Sequence, residues 1–549
     1  MLLRSDPDAA SASTFSPLKN PTCRSIWLAT QVSSLGWMMH TVAIGWIMAT
    51  TSGSDLMVAL VQASSTLPAF VLSIFAGAMA DSFGRRGILL IGRSLITLSA
   101  AILTTALALG LAAPWVILGL SFLLGCGVAL SDPAWGASVG DIVEKRDLPA
   151  AVTLLNIGFN TVRSVGPAIG GLVVAAFGPL AALLLSTAGY AVPIATIWRH
   201  KWTVRPSALP RERILMAVQD GVRFTVISPE IKAAITQGAL FGLAGIAILA
   251  LLPIVVRDQL HGGAFAYGIL MGGFGAGALI GGLNAARLRR VLSQEMLVRL
   301  ACLCCAISVF CLAFSPSVAS AAAILSLGGA GWVTAWSGFG ISVQLASPRW
   351  IVGRTVSIYF AMTYGGIAAG SWLWGTVTEV HSLAAALIGS AGALVLVAAT
   401  GLFLPIHNSV AADHDALGNV DQPEVAVDLR PNSGPIAVRI AYRIKAAETE
   451  IFLDLMQDRR RAQSRIGARH WIVERDLHDV ERWTESFRTP TWTDYLRFNH
   501  RHSAADNDLE QRLHSLHTEA GSPRLSLSIE RPAGRPRKPD LVTPFTPRI

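Results

Sequence analysis

The segment Gly77-Ala-Met-Ala-Asp81-Ser-Phe-Gly84-Arg85-Arg86 joins two apolar windows, 56–79 and 88–110. Each window is long enough to cross a hydrocarbon core of about 30 Å, which takes roughly 20 residues of helix. Gly84 permits a sharp turn between them. Asp81 can cap the following helix or pair across to another, and the two arginines hold the turn at the inner face of a membrane. A tight turn with positive charge accounts for the arginines alone; it does not account for Gly77, Asp81, Gly84, Arg85 and Arg86 together.

On either side of this loop, apolar windows recur with hardly a break from Ile26 to Pro405. They fall at 26–49, 56–79, 88–110, 114–137, 150–176 and 179–198, then at 231–256, 264–286, 295–314, 318–345, 351–376 and 381–405. The 549 residues are 52% hydrophobic and 14% charged, with mean hydropathy +0.51, too apolar for a globular protein of this length. The expectation is an all-α polytopic membrane protein of 12 transmembrane helices. Loops carrying Arg85 and Arg86, Lys145 and Arg146, Arg199 to Arg213, Arg287 to Arg290, and Arg349 and Arg354 alternate with loops that carry almost only Arg257. The positive-inside rule then puts both termini and the 199–230 loop in the cytoplasm. Met1 to Asn20 has neither an apolar core nor a cleavage site and does not read as a signal peptide.

The two sets of six windows look related at an offset of 200 residues, since Gly77-Ala78 recurs at Gly277-Ala278 and Gly166/Gly170 at Gly366/Gly370. Repeated halves place a transporter's site near the bilayer midplane. Gly273-x-Gly275-x-x-Ala278 imitates a dinucleotide fingerprint, but no strand precedes it. Gly273, Gly277 and Gly281 read instead as a close helix contact. Cys302, Cys304, Cys305 and Cys311 share one apolar window and read as small hydrophobes rather than a metal or redox site. The net charge of +9 encodes orientation and gives no reason to invoke nucleic acid.

Asn156, Asn160, Arg163 and Pro167 fall at spacings of four, three and four, along one helical face. A charge at mid-span costs roughly 2.5 to 3.5 kcal/mol, so Arg163 must face protein or a water-filled cavity. Asn156, Asn160 and Arg163 are therefore candidate substrate or coupling residues. His40 shares a face with Ser33 and Gly36 and titrates near neutral pH if the cavity is wet. Apart from Glu295 at the first position of its window, Asp132 is the one carboxylate inside a window, towards its cytoplasmic end, so no central carboxylate announces itself as a proton carrier. Trp37, Trp46, Trp135, Trp332, Trp336, Trp372 and Trp374 divide between cavity lining and interface anchors.

After Pro405 the composition changes. Residues 406–435 read as a linker, and a compact α+β domain follows. Ile436, Val438, Ile440, Tyr442 and Ile444 alternate as a strand; Ile451, Phe452, Leu455, Met456 and Arg459 share a helix face. His470 to Val473 suggest a second strand, Trp492 to Phe498 a second helix and Leu525 to Ile529 a last strand. That order suits a ferredoxin-like sandwich. The boundaries are 1–20 for an N-terminal tail, 21–198 and 231–405 for two six-helix bundles around the 199–230 loop, 406–435 for the linker, 436–530 for the soluble domain and 531–549 for a disordered end.

The Gly77 to Arg86 loop resembles the signature loop of the major facilitator superfamily, although Ser82 stands where a basic residue usually follows the Asp. Gly166-Pro167-Ala-Ile-Gly170-Gly171 resembles the antiporter motif of its exporters. With Ser34-Leu-Gly-Trp-Met38, Arg465-Ile-Gly-Ala-Arg-His-Trp471 and Trp492-Thr-Asp-Tyr-Leu496, the whole chain resembles the bacterial transmembrane secretion effector branch, which includes the enterobactin exporter. The resemblance implies a major facilitator fold in a bacterial cytoplasmic (inner) membrane. It also implies export of a siderophore-like, drug or other amphipathic small molecule in exchange for protons, without a cofactor. The tail is similar to small dimeric barrels, which implies homodimerisation through this domain. The competing reading is a membrane-anchored enzyme or sensor acting through the tail, but the tail has no HExxH or nucleophile motif and the chain no phosphate loop.

Overall fold

The computed structural model describes residues 16–143, 147–200, 214–348, 350–405, 425–427, 429–501, 504–519 and 521–530. The helices run α1 (Pro21–Thr51), α2 (Asp55–Phe83), α3 (Arg85–Ala108), α4 (Pro114–Ile142), α5 (Leu148–Arg199), α6 (Ile214–Ile227) and α7 (Pro229–Gly245). The short turns α8 (Ala247–Ala250) and α9 (Leu252–Ile254) and a π-helical turn Val255–Gln259 prolong α7. Then come α10 (Ala264–Leu288), α11 (Gln294–Leu312), α12 (Val318–Leu345), α13 (Val352–Val380) and α14 (Leu383–Thr400).

Local chemistry sets the ends. Asn20 accepts hydrogen bonds from the amides of Thr22 and Cys23 ahead of α1, with Pro21 at the first helical position. Ser54, Ser293 and Ser382 cap α2, α11 and α14 in the same way, satisfying amides that a helix start leaves open. Inside α5, Gly178 adopts φ 81° and ψ 165° and is followed by Pro179. Only glycine takes that backbone without strain, so the windows 150–176 and 179–198 fall on one element broken at this residue.

α3 shows what surrounds these helices. Ile88, Leu89, Ile96, Ser99, Ala100, Leu103 and Thr104 are buried, while Ile91, Leu98 and Ile102 on the other side are about half exposed. Apolar side chains outward and hydroxyls inward would cost solubility in water; in hydrocarbon they do not. Among the described residues ten helical stretches are long and apolar enough to cross a membrane: Pro21–Thr51, Asp55–Ser73, Arg85–Ala108, Pro114–Asp132, Val165–Arg199, Pro229–Gln259, Ala264–Leu288, Gln294–Leu312, Val318–Leu345 and Leu383–Thr400. The count of 12 windows exceeds this because two windows share α5 and because α13, 29 residues long, falls outside the ten.

The chain divides into two compact units: Met1–Val218, Ala233–Val343 and Val356–Asn408 in the first, Gln219–Lys232, Gln344–Thr355 and Ser409–Ile549 in the second. Within the second, β1 (Ile436–Arg443), α15 (Thr449–Ile466), β2 (Arg469–Arg475), β3 (Arg482–Thr489), α16 (Trp492–His500), α17 (Ala504–Ser515) and β4 (Arg524–Ile529) build a four-stranded sheet of order β2-β3-β1-β4. All neighbours are antiparallel, with Val438 opposite both Phe487 and Leu527.

Three expectations for the tail need correction. β3 was not foreseen, because its inward residues are Trp483, Glu485, Phe487 and Thr489, and a carboxylate in that row hides the alternation. Its burial is possible because Tyr442 Oη, Arg459 Nε and Trp471 Nε1 donate to Glu485 at 3.0, 2.7 and 2.8 Å, which offsets the desolvation of the charges. α17 was also unforeseen, and it covers α15. Ile451 lies outside the buried helix face and is exposed, whereas Phe452, Leu455, Met456 and Arg459 are buried.

Candidate functional site

Arg93 on α3 is the centre of the polar interior. Its side chain is 12% exposed, and Nη2 lies 3.8 Å from Oδ1 of Asp132 on α4. Nη1 donates to Ser33 Oγ on α1 at 3.4 Å, and Tyr190 on α5 lies within its electrostatic reach. Four helices thus converge on one guanidinium. Asp132 differs from Arg93: its side chain is 66% open. An ion pair at 3.8 Å, buried on one side and open on the other, is held loosely enough for water, a proton or an anionic ligand to compete for it.

Arg93 was not singled out from the sequence. Its signal was present: one arginine, eight residues into the third helix, on the side of Gly92 and Ile96 rather than in a loop.

His40, 5% exposed, sits with its ring centroid 6.0 Å from that of Tyr190. Among the described residues its Nδ1 finds no hydrogen-bond partner, and Ser33 and Gly36 share its buried face. The ring is packed beside Tyr190, next to the Arg93 cluster. Asn156, Asn160 and Arg163 lie on α5, and Gly77 and Asp81 on α2; their side chains fall outside the described residues.

Gly84 takes φ 88° between α2 and α3. Arg86 Nε and Nη2 donate to the carbonyl of Ile197, and Nη2 also to that of Trp198. A cation on the last carbonyls of α5 is favourable at a helix C-terminus, and it ties the loop to the end of that helix. Arg85 opens α3.

Gly166, Pro167 and Gly170 are buried on α5. A Cβ on Gly166 would meet Met38, one on Gly170 would meet Met39 Cα, and one on Gly171 would come within 2.1 Å of Gly268 Cα on α10. Backbone touches backbone where α5 crosses α10, as small residues allow in lipid. Gly273, Gly277 and Gly281 likewise press on the carbonyls of Ala322, Ser326 and Ala330 in α12.

A second charged cluster joins α1 and α2 to later helices. Arg257 donates to the Ala49 carbonyl at 2.8 Å and to Asp55 Oδ1 at 2.7 Å, and also pairs with Asp258. Glu379, at the end of α13, accepts from Ser54 Oγ and from the Leu56 amide at 2.8 Å. The isolated Arg257 of the sparsely charged loops thus serves as a latch.

The tryptophans separate. Trp372 is exposed, while Trp374 is buried and donates to the Leu243 carbonyl at 2.8 Å. Trp336 stacks on buried Trp332 at 6.1 Å and meets Tyr364 edge-on at 5.7 Å, with Phe360 at 6.3 Å. Trp336, Phe360 and Tyr364 are half-buried and form one aromatic patch. Cys302 and Cys305 are free and buried, and Cys305 Sγ approaches the Gly328 carbonyl, so the CxxC is packing.

The sequence pattern of the family described as "Transmembrane secretion effector" matches residues 12–534. The chain belongs to the transmembrane secretion effector family. Like the transporters of that family, it is a multi-pass membrane protein. It is 25% identical over 246 residues to the Staphyloferrin A transporter of Staphylococcus aureus (strain NCTC 8325 / PS 47), over 43% of this chain and 60% of that protein. It is 30% identical over 217 residues to the multidrug efflux pump Tap of Mycolicibacterium fortuitum, over 38% and 53%. It is 26% identical over 256 residues to multidrug resistance protein D of Escherichia coli (strain K12), over 42% and 62%. The chain therefore spans between half and about three fifths of the length of these curated relatives. Among solved structures, an auto inhibited POT family peptide transporter superposes with TM-score 0.59 at 12% identity, over 72% of this chain and 98% of that one. An inward-facing, occupied bacterial homolog of the lysosomal transporter Spinster superposes with TM-score 0.56 at 12% identity, over 72% and 97%. At such identity the likeness is one of fold.

Proposed function

We propose that this transmembrane secretion effector is a secondary active exporter of a siderophore-like, drug or other amphipathic small molecule, exchanged for protons by alternating access. The observation that carries this reading is the Arg93–Asp132 pair. A cation and a carboxylate inside a lipid-facing bundle are costly unless they are used, and Asp132 is exposed while Arg93 is buried. Protonation of Asp132 would release Arg93 to an anionic or hydrogen-bonding group of the substrate; loss of the proton would restore the pair and expel the ligand. Trp336, Phe360 and Tyr364 supply π faces suited to an aromatic substrate. Relatives named for staphyloferrin A transport and for multidrug efflux fit the same substrate classes.

The architecture in this reading is twelve spans in two six-helix halves, 21–198 and 231–405, in a bacterial cytoplasmic membrane with both termini in the cytoplasm. The break at Gly178 yields two helices from α5. α3 packs on α5 as α11 packs on α14, which supports a repeat. The tail, of order β2-β3-β1-β4 with helical crossovers, is ferredoxin-like, and pairing of two tails remains part of the proposal. The test is transport in proteoliposomes under an imposed pH gradient, with a siderophore, a macrolide and a cationic dye as probes. Uptake into inverted vesicles that collapses with the gradient is expected. Uptake indifferent to the gradient, or none for any probe while the isolated tail converts a substrate, would sink the reading.

A further inference from the structure

Trp350 belongs to the turn between α12 and α13, yet its indole packs against the tail core of Ile436, Val438, Ile466, Phe487, Tyr495 and Phe498. Arg501, at the end of α16, stacks its guanidinium 4.0 Å from the centre of the same indole. It also donates to the Ile466 carbonyl at 3.0 Å and to Asp220 Oδ2 on α6 at 3.3 Å. Phe224 on α6, 1% exposed, meets Trp350 edge-on at 5.7 Å and carries the Arg465 guanidinium over its ring at 5.7 Å. An aromatic inserted in a folded core and covered by a buried cation is the pattern of an energetic anchor.

Consequently Gln219–Lys232 and Gln344–Thr355 fold in one compact unit with the tail. The first segment runs directly into α7, and the second joins α12 to α13. Nothing before Gln219 belongs to that unit. We infer that the tail domain is a positioning clamp: through Trp350, Phe224 and the Asp220–Arg501 bridge it ties the entry of α7 to the α12–α13 turn, so that these helices move together. The inference rests on the rocking exporter proposed above. Rocking transmits binding energy only if each half moves as a body, and loops between helices are otherwise the most independent parts of a chain. Because one tied segment leads into α7 and the other joins α12 to α13, the clamp couples helices of the second half. Loss of the clamp therefore slows turnover rather than releasing a brake.

The test uses the full-length chain carrying Trp350→Ala, Trp350→Phe or Arg501→Ala. Hydrogen exchange reads docking independently of transport, and substrate flux reads turnover. Trp350→Ala is expected to raise exchange in 429–501 roughly tenfold, the scale of a lost cation–π and packing contact. It should lower maximal flux several-fold at unchanged apparent substrate affinity, while Trp350→Phe restores both. If Arg501→Ala folds and undocks the tail, it must show the same flux loss. Wild-type flux with an undocked tail, or a gain in flux, would overturn the clamp. Failure of the wild type itself to transport would instead overturn the exporter.

Discussion

Asp132 and Arg93 stand 3.8 Å apart across α3 and α4, one 66% open and the other 12%. This asymmetry separates their expected mutant phenotypes. Asp132→Asn keeps the shape of a side chain already 66% open, so the protein should still accumulate in the membrane. Gradient-driven flux should fall at least about tenfold, the loss of one strong charge interaction, while exchange of substrate across a gradient-free membrane persists. Arg93→Ala should abolish both. Equal effects of the two substitutions would show the pair to be scaffolding.

Arg257 and Glu379 hold the first residues of α2 and the end of α1. Both members of the Arg257–Asp55 pair are partly exposed, so each contact is worth about 0.5 to 1 kcal/mol. Asp55→Asn with Glu379→Gln should shift the conformational balance towards the state open at this end by roughly tenfold. A thiol at the buried Ala49 position, reacted with a membrane-impermeant maleimide, reads the shift; an unchanged rate would show that the latch does not govern opening.

Gly171→Ala would push a methyl to within 2.1 Å of Gly268 Cα, and backbone cannot rotate away as a side chain can. Overpacking of this kind costs about 1 to 3 kcal/mol. A lowered unfolding temperature in detergent and lost transport are expected, whereas Gly392→Ala, which meets nothing within 4 Å, should change neither.

In the tail, Glu485→Ala would leave Arg459 buried without its carboxylate, at a cost of about 3 to 5 kcal/mol. Tryptophan fluorescence should report early melting of this domain while the helical part keeps its transition. Burial and the neighbouring Glu485 hold the Tyr442 phenol well above its ordinary pKa. The folded tail keeps a proton that the unfolded chain releases near pH 10. Stability is therefore full below that pH and falls as pH rises through it, a dependence that Tyr442→Phe should remove.

The membrane class was legible because it depends on one-dimensional quantities: apolar length, charge in loops, glycine at turns. β1, β2, α15, α16 and β4 followed from periodicity in the same way. β3 did not, because Glu485 is apolar in position only once Tyr442, Arg459 and Trp471 surround it. Arg93 escaped notice because an arginine near a helix start resembles a loop charge until α1, α4 and α5 are seen to converge on it. Trp350 likewise read as part of a basic loop.

The sequence alone determined a multi-pass helical protein with a small α+β tail and the glycine motifs of its family, since hydropathy and backbone freedom are properties of each residue. Tertiary structure decided how the turn at Gly84 is fastened through Arg86. It also decided which carboxylate meets which arginine and where the tail takes hold. Those pairings join residues tens to hundreds of positions apart, and their energy depends on distance and burial, which no single residue carries.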